Sequence, residues 1–317
     1  MPSILITNIK QLVNVRDESY LLRGKQLQNL PCINNAYVII EDGLIAGFGG
    51  MSDLKLKTEN RKQQIDANHQ FVLPTWCDSH THLVFAGSRE NEFVDKIKGL
   101  SYAEIAARGG GILNSARKLN ETSEDELFNQ AWKRLEEVSK LGTGAIEIKS
   151  GYGLTVEGEL KMLRVIKKLR EKSNLIIRST FLGAHTYPLE FKDDHQGYLN
   201  LLINEMLPQI AKGKLADYID VFCEDGFFSP LETETICKAG LRHGLKPKLH
   251  ANQLGLSGGT QVGVRLGAVS VDHLENMDQD AIHALAQSST IGTLLPTAAF
   301  FLRMPFQPAR KLIDDGC

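Results

Sequence analysis

Residues 1 to about 65 alternate short apolar and polar stretches on the scale of strands. In AYVIIEDGLIAGFG two apolar stretches flank Asp42-Gly43, a dipeptide suited to the tight turn of a hairpin. LKLKTENRKQQ is a polar connector, and QFVLP then opens a different pattern. From there apolar β-type runs alternate with helical ones, at 72–82, 144–150, 175–185, 218–225, 245–252, 268–275 and 290–297. Ser123 and Glu126 have capping-box spacing ahead of a helix that ends near Gly142. Ser229-Pro230-Leu231-Glu232 combines a cap, a proline at the first helical position and a glutamate at the third, with Gly244 closing. Strands buried on both faces and separated by helices indicate a parallel sheet in an α/β fold. A doubly wound sheet and a barrel both fit this alternation. Seven strand–helix units favour a (β/α)8 TIM-type barrel lacking its eighth strand. The expected organisation is a small N-terminal β-rich domain over 1–65 and the incomplete barrel over 66–317.

Composition narrows the class without changing it. The 317 residues carry 36 Lys and Arg against 38 Asp and Glu, a formal charge of −2, with 42% hydrophobic and 23% charged residues. That is enough apolar surface to offset chain entropy, which excludes disordered and low-complexity readings. The balanced charge and the lack of a basic stripe or zinc knuckle exclude a nucleic-acid partner. No apolar run approaches the roughly 18 residues of a membrane helix, so no membrane partner is expected. MPSILITNIK has none of the parts of a signal peptide. Five cysteines without a CxxC pair fit reduced thiols in a cytoplasmic protein.

The candidate chemistry falls at the C-terminal ends of the strands, where a barrel builds its active site. Asp78-Ser79-His80-Thr81-His82 ends the first run, His185 the third, His250 the fifth and His273 the sixth. In a strand, residues two apart share a face, so His80 and His82 can grip one ion. An HxH pair alone is weak, because nine histidines produce about a quarter of such a pair by chance. A single histidine is more often a hydrogen-bonded core or surface residue. Four strand-end placements together point instead to a metal site inside a barrel. Imidazole ligands suit Zn²⁺ and Fe²⁺ about equally, and a metal with open positions activates water, so hydrolysis is the leading reaction class.

The runs LPTWCDSHTHLVFAGSRENEF, SYAEIAARGGGI, EIKSGYGL, STFLGAHTYP, VFCEDGFF, LHANQ, VDHLE and LLPTAAFFL resemble the imidazolonepropionase family of metal-dependent amidohydrolases. The resemblance covers nearly the whole chain. It implies one divalent metal, Zn²⁺ or Fe²⁺, held by His80, His82 and His250. It implies that Arg89 binds the carboxylate of a small-molecule substrate, imidazolonepropionate, and that Tyr152, His185 and Gln253 contact its ring. His273 would orient or polarise the attacked carbonyl, and the cyclic amide would open with water to N-formimidoyl-L-glutamate. A homodimer is a family-level expectation.

Each residue also has a plainer reading. Arg89 could be a solvated charge and Tyr152 a loop aromatic between two glycines. Gly109-Gly110-Gly111 resembles no phosphate loop and reads as a flexible lid. Lys149 reads as structural in a one-metal site, and Trp76, Trp132 and the phenylalanines as core.

Two features depart from the family pattern. Gln253 stands where some relatives carry glutamate, and an amide cannot act as a general base, so binding is its role. The family's eighth strand ends in a metal-binding aspartate, whereas here the chain stops at Cys317, with Asp314 and Asp315 in a helix-to-strand connection. The expectation is a truncated chain of low activity and impaired stability. Two alternatives follow: another cyclic amidohydrolase or deaminase, and a non-catalytic metal-binding remnant.

Overall fold

A computed structural model describes residues 3–54, 63–100, 104 and 110–317. The polar connector over 55–62, most of SYAEIAARGG and Gly109 of the expected lid lie outside the described residues. The chain divides into two compact units, Met1–Thr75 and Trp76–Cys317.

The first unit is a five-stranded sheet. Strand β1 (Ile4–Val13) pairs antiparallel with β2 (Cys32–Glu41), which pairs antiparallel with β3 (Leu44–Gly50). Asp42 and Gly43 turn between β2 and β3 with φ of 51° and 80°, the doubly left-handed conformation that Asp-Gly tolerates. A bulge in β1 around Asn8, at φ 53°, brings Ile6 and Ile9 to the same face, opposite Val38 and Ala36 of β2. Strands β4 (Gln63–Asp66) and β5 (Phe71–Val72) pair in parallel with β1. The chain therefore stays with this sheet beyond residue 65, and the compact units part after Thr75. Ile9, Ala36, Val38 and Ala67 form the unit's small core.

The second unit is a parallel sheet in strict chain order: β6 (Trp76–Asp78), β7 (Thr143–Lys149), β8 (Ile176–Ala184), β9 (Tyr218–Cys223), β10 (Lys246–Ala251), β11 (Ser270–His273) and β12 (Ile291–Leu294). This is the seven-stranded β/α progression expected from the alternation. The run 72–82 does not form one strand. Pro74, which has no N–H to give a ladder, separates β5 from the three-residue β6. Past β6 the chain still follows β7: the Lys149 amide donates to the Thr81 carbonyl at 3.0 Å, and the Thr81 hydroxyl donates to the Glu147 carbonyl at 2.5 Å. His80 and His82 are held at the strand end by these bonds.

The connecting helices begin and end at the signals read above. The Ser123 hydroxyl accepts from the Glu126 amide at 3.2 Å to start Glu124–Lys140, and Gly142 leaves it at φ 98°. Ser229 and Glu232 close a reciprocal capping box on Pro230–Arg242, and Gly244 follows at φ 81°. Leucine, isoleucine and valine from these helices and from both faces of β7 to β11 make one core. The outer strands differ. All of β6 is exposed and β12 is half-buried at most. Trp76 is 63% exposed rather than core, lying over Gly142, and Phe71, Phe300 and Phe306 are exposed as well. Trp132 packs against the core edge. Among the described residues no helix is long and apolar enough to cross a membrane.

Candidate metal centre

Parallel pairing carries the histidines to one level. His250 on β10 lies in register with Phe222 on β9 and Asp272 on β11, and Ala251 with His273. Ring centroids of His80 lie 4.5 Å from His250, 5.2 Å from His273 and 5.5 Å from His82. His80, His82 and His250 each bring one ring nitrogen to within 4.8 Å of the others. The backbone is bent to achieve this: Asn252 has φ 55°, His273 φ 88° and Leu274 φ 64°. Such conformations cost non-glycine residues about 1–3 kcal/mol and gather where a site needs an unusual side-chain aim.

Proton bookkeeping shows that the cluster fits a cation. The Nδ1 of His80 is 2.6 Å from Asp272 Oδ2 and that of His250 is 3.0 Å from Asp220 Oδ2, the latter off the N–H axis of the ring. A carboxylate beside Nδ1 favours the Nδ1–H tautomer and leaves Nε2 bare. The bare Nε2 of His250 lies 3.4 Å from His82 Nε2, while His82 Nδ1 is buried with no hydrogen-bond partner among the described residues. Whichever nitrogen of His82 carries its hydrogen, one buried lone pair stays unmet unless a cation accepts it. Burial, reinforced by neighbouring cationic groups, holds all three imidazoles well below the usual histidine range. They are thus neutral donors, as metal ligands must be.

Beneath the histidines lies a dry layer of charge. Lys149 Nζ reaches Glu147 at 2.7 Å and Asp220 at 2.8 Å, and Lys248 Nζ reaches Glu147 at 2.6 Å and the Ser79 carbonyl at 2.8 Å. Burial alone would strip Lys149 of its proton, but Asp220, Glu147 and Asp272 together hold it well above the usual lysine range. Asp272 is pushed up by burial and pulled back further by Lys149 and Lys248, so it ends below the usual carboxylate range. The structural reading of Lys149 is what the geometry shows, with the refinement that it fixes two carboxylates that in turn face His80 and His250.

A cavity of about 690 Å³ opens above this layer and brings His82, His185, His250, His273, Arg89, Tyr152 and Gln253 to its walls. His185 stacks on His82 at 5.3 Å, and its Nδ1 lies 3.0 Å from the Gly151 carbonyl. Burial lowers it to about 4, so it is neutral near pH 7, donating from Nδ1 and accepting at Nε2. Arg89 precedes helix Glu90–Ile97 and is not a solvated surface charge. Its Nε donates to Ser115 Oγ at 2.9 Å, its Cζ lies 5.3 Å from the Tyr152 ring, and its buried Nη2 has no hydrogen-bond partner among the described residues. An unpartnered buried guanidinium nitrogen facing a cavity is a place for an anion. Phe222, Phe227 and Phe301 make much of the remaining wall apolar, with Ser88, Lys96, Ser115 and Thr297 also lining it.

No family model matches the chain. It is 55% identical to the imidazolonepropionase of Flavobacterium johnsoniae over 314 residues, covering 98% of this chain and 76% of that protein. The chain belongs to the imidazolonepropionase family. It is 54% identical to the imidazolonepropionase of Christiangramia forsetii, over 98% of this chain and 76% of that protein. The imidazolonepropionase of Clostridium tetani is 44% identical over 92% of this chain and 70% of its own length. Among solved structures, a triazine hydrolase variant superposes with a TM-score of 0.70 at 14% identity, covering 99% of this chain and 69% of that one. A guanine deaminase from C. acetobutylicum does so with a TM-score of 0.65 at 14% identity, covering 98% and 72%. At such identities these likenesses show the fold. As an imidazolonepropionase-family member the chain is a hydrolase of C–N bonds and belongs to histidine metabolism.

All eight site residues singled out from sequence meet in one region. Sequence reasoning passed over Asp220, Asp272, Glu147 and Lys248. Their signal was present, since each is a charge inside a predicted strand, and Glu147–Lys149 and Lys248–His250 alternate at the strand period of two.

Proposed function

We propose that the chain opens the cyclic amide of 4-imidazolone-5-propanoate with water, giving N-formimidoyl-L-glutamate. One observation carries the reading: His82 and His250 of a three-histidine cluster with an unmet lone pair, and Arg89 with a buried nitrogen that has no partner among the described residues, line the same cavity. The identity to imidazolonepropionases over 98% of the chain supports it. His80, His82 and His250 would hold one divalent cation, Zn²⁺ or Fe²⁺. When bound, such a cation supplies an activated water at neutral pH. A crystallised atrazine chlorohydrolase of this fold, from Arthrobacter aurescens, is complexed with zinc.

The protein's own groups account for the rest. The Arg89 fork takes the propionate carboxylate, and its Nε bond to Ser115 aims the free edge inward. Tyr152 flanks the ring, and neutral His185 accepts a ring N–H at Nε2 because Gly151 occupies its Nδ1 hydrogen. Gln253 offers an amide to the ring. His273, 6% exposed and with Nδ1 3.7 Å from Glu275 Oε1, presents a hydrogen-bond donor to the carbonyl oxygen as charge develops there. The aromatic part of the wall, Phe222, Phe227 and Phe301, lowers the local polarity and strengthens these contacts.

The test is ring opening followed by absorbance with added Zn²⁺ or Fe²⁺, for the chain and for Arg89→Ala. Losing a buried charge-assisted contact of about 2–3 kcal/mol predicts a KM raised about 30- to 150-fold, with kcat changed much less. An unchanged KM for imidazolonepropionate sinks the substrate assignment.

A further inference from the structure

Glu159 lies in the first turns of helix Val156–Lys172 and is fully buried, yet among the described residues it has no cationic partner. Its carboxylate instead gathers the backbone just before the helix. Oε2 accepts from the Gly151 amide at 3.0 Å, and Oε1 accepts from the amides of Gly153 at 2.7 Å and Leu154 at 2.9 Å. The Ser150 side chain bonds to it as well. This segment could not hold its shape unaided. Gly151 has φ +105° and Leu154 φ +55°, and a Cβ at Gly153 would run into the backbone at Gly158 and Glu159. The loop is therefore pressed onto the helix, with three amides converging on one side chain.

What this loop carries makes the arrangement matter. Tyr152 projects its ring to 5.4 Å from that of His82, 5.3 Å from that of His185 and 5.3 Å from the Arg89 guanidinium carbon. The Gly151 carbonyl holds His185 Nδ1 at 3.0 Å. Glu159 itself does not reach the cavity. We infer that Glu159 is a positioning residue for substrate binding: by fixing the Gly151–Leu154 loop it sets the reach of Tyr152 and the tautomer of His185. The inference rests on the reading that these two residues face the substrate. It separates two functions of the site, because none of the Glu159 contacts runs to His80, His82 or His250.

Glutamine matches Glu159 in shape but has one acceptor oxygen, so its NH2 must face at least one amide N–H. In the Zn²⁺-loaded full chain, Glu159→Gln is expected to speed amide exchange in peptides spanning 150–155 at least tenfold. KM for imidazolonepropionate is expected to rise at least tenfold, with kcat changed less. Zn²⁺ affinity by chelator competition is expected to stay within twofold. Glu159→Asp, which keeps two acceptors on a shorter stem, should fall between wild type and Glu159→Gln, and it carries the test if the glutamine variant does not fold. Unchanged exchange, faster exchange with unchanged KM, or a loss of Zn²⁺ affinity matching the loss of turnover overturns the inference. If the wild-type chain does not turn over imidazolonepropionate, the substrate reading fails instead, and exchange and Zn²⁺ affinity alone then decide whether Glu159 fixes the loop.

Discussion

Glu224 shows how far a single residue departs from its ordinary chemistry in this site. It follows β9, is 2% exposed, and accepts the Gln253 backbone amide at 2.5 Å. Burial pushes its carboxyl up to about 7, against the pull of the Gln253, Leu254 and Gly255 amides. The unfolded chain releases that proton near 4.3. Between these values the folded state binds the proton more tightly, so the contribution of Glu224 to stability is full below about 4.3 and declines as pH rises to about 7. Glu224→Gln is expected to remove that decline. Melting temperatures of both proteins from pH 5 to 7.5 check it, the wild type losing ground to the variant as pH rises; parallel curves contradict the assignment. The candidate metal-binding histidines, by contrast, were legible from sequence, because HxH is a local spacing and four histidines fall together at strand ends. Asp220 and Asp272 became meaningful only once β9 and β11 were laid on either side of β10.

At the scale of elements, helix-to-strand contact decides the packing. Gly240 sits in helix Pro230–Arg242, where an added Cβ would come within 2.6 Å of Ile219 Cγ2 on β9. Alanine would improve helix propensity by about 1 kcal/mol, whereas overpacking costs about 1–3 kcal/mol. Gly240→Ala is therefore expected to destabilise the chain by about 1 kcal/mol net, read as a lower denaturation midpoint at unchanged m-value. A stabilised variant would show that Ile219 gives way. The helices themselves were legible because caps are local: Ser123, Ser229 and Gly244 act through bonds three or four residues long. Run 72–82 misled because hydrophobicity does not register the amide that Pro74 lacks.

At the scale of the molecule, each compact unit has its own core, and the histidine cluster lies wholly within the second. A ligand that binds only the folded state stabilises by about 2.7 kcal/mol at one hundred times its dissociation constant. For a unit of this size that corresponds to roughly 5–10 °C. Adding Zn²⁺ is expected to raise the melting temperature by that order, and EDTA to reverse it. Asp272→Asn, which weakens the hold on His80, should cut metal affinity about 10- to 100-fold and shrink the shift accordingly. A melting temperature indifferent to metal would contradict the three-histidine site.

The sequence by itself determined what depends on neighbours within a few residues: the Asp42-Gly43 hairpin, the capped helices, the seven-unit alternation and the histidines at strand ends. Its motifs also carried the family resemblance. The tertiary structure alone decided which buried charges face one another. Lys149, Glu147, Asp220, Asp272 and Lys248 come from four strands, and their pairing depends on parallel register across the sheet. It likewise decided that Glu159 turns back to grip the loop of Tyr152. Charges and amides in a dry interior must find partners wherever the fold supplies them, and linear spacing does not record where that is.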